Sequence, residues 1–206
     1  MAAPGAQPVA LITAGGRRIG AHIAARLADG GYALALHGRT EAPLDPMLAE
    51  TIARTGVPMR QFAADLSDPS QVDALWDSVC NWAGQPPTLL VNNAALFTED
   101  TAETATAESI RLHHAINCAA PVQLTRNLWR DTPESARACA ILLLDQRIAQ
   151  PNGDQFSYSL SKLALAGAMK LLSRALAPRV RVNAVAPGLT LPTADYTASL
   201  VICSAV

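Results

Sequence analysis

Short apolar runs that alternate with stretches of helix length constrain the fold of this chain more than any other feature. VALIT (9–13), YALALH (32–37), MRQFAADL (59–66), TLLVNNA (88–94), AILLLD (140–145) and RVRVNAV (179–185) read as strands. Residues 19–29 place Ile19, Ile23 and Leu27 at four-residue spacing, a helical face that Gly30-Gly31 ends. Further helices are expected over 44–54, from Asp68-Pro69-Ser70 to about Trp82, over much of 106–130, and over 156–177, ending at Pro178. Alternation in this order predicts parallel strands with helices on both faces, a doubly wound α/β domain. In such a sheet the ligand crevice lies at the carboxyl ends of the strands, so function is sought in the loops that follow them.

A chain of 206 residues favours one domain, and at this size roughly 70% of the unfolded surface can be buried. A net charge of −1 without a basic run argues against a nucleic-acid partner. The apolar runs break well short of the ~18 residues of a membrane span, and no charged region precedes the first of them. A cytoplasmic protein without a signal peptide is expected. Cys80, Cys118, Cys139 and Cys203 are scattered, with no CxxC or Cys/His cluster, and read as reduced packing residues rather than metal ligands. His113 and His114, without ligand-spaced partners, read as structural or surface residues.

The loop TAGGRRIG (13–20) joins the first strand to the first helix. Its small residues let the backbone approach a pyrophosphate, and the helix N-terminus offers unpaired N–H groups. Thr13, Gly15, Arg17, Arg18, Ile19 and Gly20 are therefore candidate cofactor contacts. The second strand ends in LHGRT, with His37, Arg39 and Thr40 and no acidic residue. A free ribose 2′-OH is usually met by Asp or Glu there, and a 2′-phosphate by Arg, so the pattern points to NADPH. Asp65 and Leu66 follow the third strand, where the aspartate can accept from an adenine amino group; Asp68 can instead cap the next helix. Asn93 and Ala94 in VNNAA end the fourth strand, where side-chain amides can tie loop backbones together.

Tyr158 and Lys162 are i and i+4 on the last expected helix and share a face. An ammonium about 5 Å from the phenol, at an effective dielectric of about 20, favours the phenolate by roughly 3 kcal/mol, or about two pK units. The expectation is a tyrosine brought toward the range of general acid–base catalysis.

These stretches together resemble the short-chain dehydrogenase/reductase family over about residues 8–192. The resemblance rests on TAGGRRIG, Asp65, NNAA, Asn117 in INCAAP, YSLSK, and VNAVAPG followed by Thr190. It implies a Rossmann-type sheet in which Tyr158 donates a proton, Lys162 lowers the phenol's pKa and holds the nicotinamide ribose, and Asn117 supports a water relay. It further implies that Pro187, Gly188 and Thr190 meet the nicotinamide. Ala14 stands where the family's first loop glycine lies; this predicts an altered turn, with Gly15, Gly16 and Gly20 compensating.

A second departure bears on chemistry. Asp145 lies thirteen residues before Tyr158, where the family carries a serine that hydrogen-bonds a carbonyl substrate. A carboxylate there repels a developing alkoxide but suits an imine nitrogen that must gain a proton. This resembles the pteridine reductase and dihydromonapterin (dihydrofolate) reductase branch. In that light Arg18 matches an arginine that reaches substrate and phosphates, and Phe97 an aromatic that stacks on the pterin.

The resemblance thus implies an NADPH-dependent reductase of a dihydropterin or dihydrofolate C=N bond, with Arg18, Phe97, Asp145 and Tyr158 at the substrate. A 3-oxoacyl-thioester or other carbonyl reductase is the nearest alternative, and a non-catalytic NADP-binding protein a second. Family members continue past the point where this chain stops, so the resemblance also implies that the usual last strand is missing and that residues 193–206 are atypical or truncated. A homo-oligomer, in the family a tetramer, is expected if that terminus permits it.

Overall fold

The computed structural model describes residues 4–188 and residue 190. Six strands form a single, wholly parallel sheet in the order β3-β2-β1-β4-β5-β6. They are β1 (Val9–Thr13), β2 (Ala33–Gly38), β3 (Met59–Ala63), β4 (Leu89–Asn92), β5 (Ala138–Leu143) and β6 (Val180–Val185). The helices are α1 (Arg18–Asp29), α2 (Pro46–Thr55), α3 (Pro69–Ala83), α4 (Ala107–His114), α5 (Ala120–Asp131) and α6 (Phe156–Ala175).

The sheet is covered on both faces, which is why its strands read as unbroken apolar runs. Val9 and Leu11 of β1 enter one core with Trp76, Leu124 and Leu165, from α3, α5 and α6. Ala10 and Ile12 enter a second core with Ala24 of α1 and Leu48 of α2. Local chemistry sets the helix ends. Asp45 and Asp68 cap α2 and α3 by accepting from Met47 N (3.1 Å) and Ser70 N (2.8 Å), each ahead of a proline in the first turn. Gly56 and Gly84 end the same helices at φ 67°, a left-handed conformation that costs glycine little.

Two expected elements are redrawn. The helix expected over 106–130 is three pieces, because a π-helical turn, Ala115–Ala119, separates α4 from α5. The fifth strand starts at Ala138 and stops at Leu143, so Asp145 lies beyond it and opens a 3₁₀ turn, Gln146–Ile148. The expectations for a missing last strand, for residues 193–206 and for Cys203 lie outside the described residues. Among the described residues no helix is long and apolar enough to cross a membrane.

The strand order reverses between β1 and β4, since β2 lies on one side of β1 and β4 on the other. Ligands of open α/β sheets bind at such a switch point, beyond the strand ends. Thr13, His37, Asn93 and Asp145 all lie at or just past the carboxyl ends of their strands.

Candidate active site

The loop after β1 is held by its neighbours on three sides. Asn93 Nδ2 donates to Thr13 O (3.0 Å) and Ala14 O (3.2 Å), while Thr13 Oγ1 accepts from the backbone N–H groups of Asn93 and Ala94, each at 2.9 Å. His37 Nδ1 accepts from Ala14 N (3.4 Å), and its Nε2 lies 3.1 Å from Ala64 O, so the ring bridges the exits of β1 and β3. Burial pushes the His37 pKa down, against a smaller upward pull from the Ala64 carbonyl. The expected tying role of the VNNAA amides is thus visible at Asn93.

Ala14 adopts φ 50°, the left-handed conformation in which glycine is favoured. A Cβ on Gly20 would lie 2.1 Å from Ala14 O and 2.8 Å from Asn93 Nδ2, so the start of α1 packs directly on this strained turn. That close approach is what a backbone cradle for phosphate needs.

A cleft of about 260 Å³ beside the loop brings together Arg17, His37, Arg39 and Thr40. Two guanidinium groups and a hydroxyl in one cleft can hold a phosphate. Arg18, exposed and at φ 49°, opens α1 and does not line that cleft. Asp65 accepts from Ser67 N (2.8 Å) and Ser67 Oγ (2.7 Å), and these bonds hold its carboxyl below the usual range. Leu66 is buried in the core. On the other side of α1, Ile19, Leu143, Pro187 and Thr190 line an apolar cleft of about 590 Å³. Gln146 N donates to Pro187 O (3.1 Å), and a Cβ on Gly188 would lie 3.1 Å from Gln146 Oε1, so the Pro-Gly loop rests on the turn that Asp145 opens.

Asp145 and Tyr158 face each other. Asp145 Oδ1 accepts from Arg147 N (2.8 Å), which fixes the carboxyl, and Oδ2 accepts from Tyr158 Oη at 2.8 Å. Tyr158 is 5% exposed and Lys162 3%. The Lys162 ammonium donates to Leu143 O (2.6 Å) and lies 5.7 Å from the centre of the Tyr158 ring.

This geometry reverses the expected direction for the phenol. Burial first, and the Asp145 carboxylate second, push the Tyr158 pKa far above its ordinary value. The same burial pulls Lys162 down to about 8, with Asp145 acting weakly in the other direction. The spacing correctly placed the amine on the face of the phenol. It did not show that Lys162 turns to a carbonyl, nor how dry the site is. The phenol here is a proton holder, hydrogen-bonded to an acceptor.

Asn117 is fully buried on the π-helical turn. Its Oδ1 accepts from Leu96 N (2.7 Å), and its Nδ2 donates to Leu96 O (2.9 Å) and Ser161 Oγ (2.9 Å). Ser161 Oγ donates in turn to Tyr158 O (2.6 Å). Phe97, 54% exposed, packs its ring edge-on to Tyr158, with centroids 4.7 Å apart and planes at 77°. Phe97, Tyr158 and Asp145 therefore share one wall.

Several residues of the site carried no signal in the sequence. Arg147, in the middle of the 3₁₀ turn, pairs with Asp154 (2.7 Å), and its charge bears on Tyr158. His113 is buried and reaches Thr98 Oγ1 (3.1 Å) and Ser109 O (2.8 Å), a structural role as expected, whereas His114 is exposed. Asp100 binds the first turn of α6. Desolvation raises its pKa, but the hydrogen bonds from Ser157 and Ser109 outweigh that and hold the carboxyl below the usual range.

A family model described as short chain dehydrogenase matches residues 8–199. FolM alternative dihydrofolate reductase 1 of Brucella canis, solved with NADP, superposes with a TM-score of 0.84 at 37% identity, covering 91% of this chain and 75% of that one. The Brucella suis protein of the same name, also with NADP, gives 0.80 at 36% identity, over 90% and 76%. An oxidoreductase of Mycobacterium tuberculosis is 34% identical over 200 residues, 90% of this chain and 70% of its own length.

Proposed function

The chain belongs to the short-chain dehydrogenase/reductase family, and on that premise we propose that it is an NADPH-dependent reductase of a dihydropterin or dihydrofolate C=N bond. The observation that carries the reading is the 2.8 Å hydrogen bond between Tyr158 Oη and Asp145 Oδ2. A carboxylate beside the proton donor disfavours an alkoxide, but accepts from, or returns a proton to, a ring nitrogen. The likeness to NADP-bound alternative dihydrofolate reductases supports the same choice.

The residues present fit the cofactor. Gly20 lets the α1 N-terminus pack against the β1–α1 turn where a Cβ would clash with Ala14 O, and the cleft with Arg17, Arg39 and Thr40 supplies charge for a 2′-phosphate. Asp65 would take the adenine amino group, Lys162 the nicotinamide ribose, and Ile19, Pro187, Gly188 and Thr190 the nicotinamide end. When bound, NADPH supplies a hydride from C4 of its nicotinamide. The chain's own part is to stack a flat ring on Phe97, orient it with Arg18 and Asp145, and hold the proton on Tyr158 until the ring nitrogen takes it. Lys162 compensates the charge left on the phenol, and Asn117 fixes the wall and supports a water relay. The reading also carries a cytoplasmic homo-oligomer.

The test is NADPH oxidation by the purified chain with dihydrobiopterin, dihydrofolate and an acetoacetyl thioester. One of the first two is expected to show the highest kcat/KM. Preference for the thioester would move the chain to the carbonyl reductases.

A further inference from the structure

The segment between β4 and α4 is pinned to the helices at alternate residues. Asn117 holds both backbone groups of Leu96, His113 reaches Thr98 Oγ1, and Asp100 binds α6. Phe97, Thr98 and Glu99 are exposed, and of these Thr98 is held through its side chain, by His113. The segment is thus anchored by one edge and presents Phe97 with the other.

The anchor at Asp100 is the densest. Its Oδ1 accepts from Ser157 N (3.0 Å), and its Oδ2 accepts from the hydroxyls of Ser157 and of Ser109 (3.0 Å). Its backbone carbonyl accepts from Phe156 N (3.1 Å). These are two of the first-turn N–H groups of α6, which have no partner within the helix. The residue that would normally cap them is Gln155. It stands at φ 51° and ψ 50°, and its side chain makes no cap hydrogen bond. Asp100, 57 residues before Ser157 in the chain, does that work from the β4–α4 segment. Tyr158 is the next residue after Ser157, and its ring touches Phe97.

We propose that Asp100 is a positioning residue that caps α6 in trans, and so fixes the proton donor Tyr158 relative to the substrate platform Phe97. The inference rests on the reading of Tyr158 as proton donor and of Phe97 as substrate contact. It holds for a pterin or a carbonyl substrate alike. Without the carboxylate, Ser157 N and the hydroxyls of Ser157 and Ser109 lose their acceptor, and the platform is tied to the catalytic helix at this point only by the backbone bond from Phe156 N to Asp100 O. Binding at the β1–α1 loop, which Asp100 does not touch, is left intact.

The test compares Asp100→Ala and Asp100→Asn with wild type by amide hydrogen exchange, NADPH binding and steady-state kinetics. The kinetic arm uses whichever of the pterin or thioester substrates the wild type reduces, so the fate of the pterin reading is settled separately. Asp100→Ala is expected to speed exchange at 97–100 and 156–158 together, and to leave NADPH Kd unchanged. It should lower kcat/KM for the second substrate by about 10- to 100-fold, as expected for a displaced reacting group. Asp100→Asn keeps an acceptor for Ser157 N and should recover part of that loss. Unchanged exchange, faster exchange with normal kinetics, equal loss in the two variants, or a parallel loss of NADPH affinity would each overturn the proposal. A wild-type chain that reduces neither substrate would overturn it together with the reading beneath it.

Discussion

A lysine that loses its proton near neutral pH is a poor permanent charge, and Lys162 is pulled down to about 8 by burial. Two consequences of opposite sign follow. If the ammonium compensates charge on Tyr158, kcat should fall as pH rises through about 8. Stability should move the other way. Between about 8 and the lysine's ordinary 10.5 the unfolded chain holds a proton that the folded chain has lost, so this group makes unfolding harder as pH rises. Tyr158, whose folded pKa is raised, reverses the trend only above its ordinary 10.0. A pH–rate profile and thermal denaturation at pH 8 to 10 check both limbs. The residue scale is also where the sequence was least informative. The i, i+4 spacing placed phenol and amine together, but the sign of the phenol's shift depends on burial and on a carboxylate thirteen residues away.

The turn from β1 to α1 shows how an element can keep a conformation its residue disfavours. Ala14 at φ 50° is held by the His37 ring and the Asn93 amide. Such a conformation costs a non-glycine residue about 1–3 kcal/mol. Ala14→Gly should therefore raise stability by about 0.5–1 kcal/mol, after the entropy glycine loses, or roughly 2 °C in Tm. Gly20→Ala should do the opposite. Its Cβ would sit 2.1 Å from Ala14 O, so the loop must move. The expected cost is about 1–3 kcal/mol, with weaker NADPH binding, measured by denaturation and by fluorescence titration. The strands and their exit loops were legible because a two-sided parallel sheet makes its strands continuously apolar. The π-helical turn at Asn117 and the trans cap from Asp100 were not, since both depend on partners far away in sequence.

Across the whole molecule, the site is assembled from the exits of all six strands, and His37 is one of its seams. The ring joins the loop after β1 to the exit of β3. Its pKa is lowered by burial, so below its ordinary 6.5 the unfolded chain takes up a proton before the folded chain does. Stability should fall as pH drops below about 6.5, and a His37→Gln variant should lose that slope in thermal denaturation. The central claim concerns the opposite side of the crevice, where Asp145 meets Tyr158. Its most direct measurement is the steady-state kinetics of Asp145→Ser with a dihydropterin and an acetoacetyl thioester, beside NADPH binding. A proton-handling group is worth about 10²- to 10⁴-fold, so pterin kcat/KM should fall on that scale while NADPH Kd holds and thioester reduction does not fall. Undiminished pterin turnover in Asp145→Ser would contradict the account.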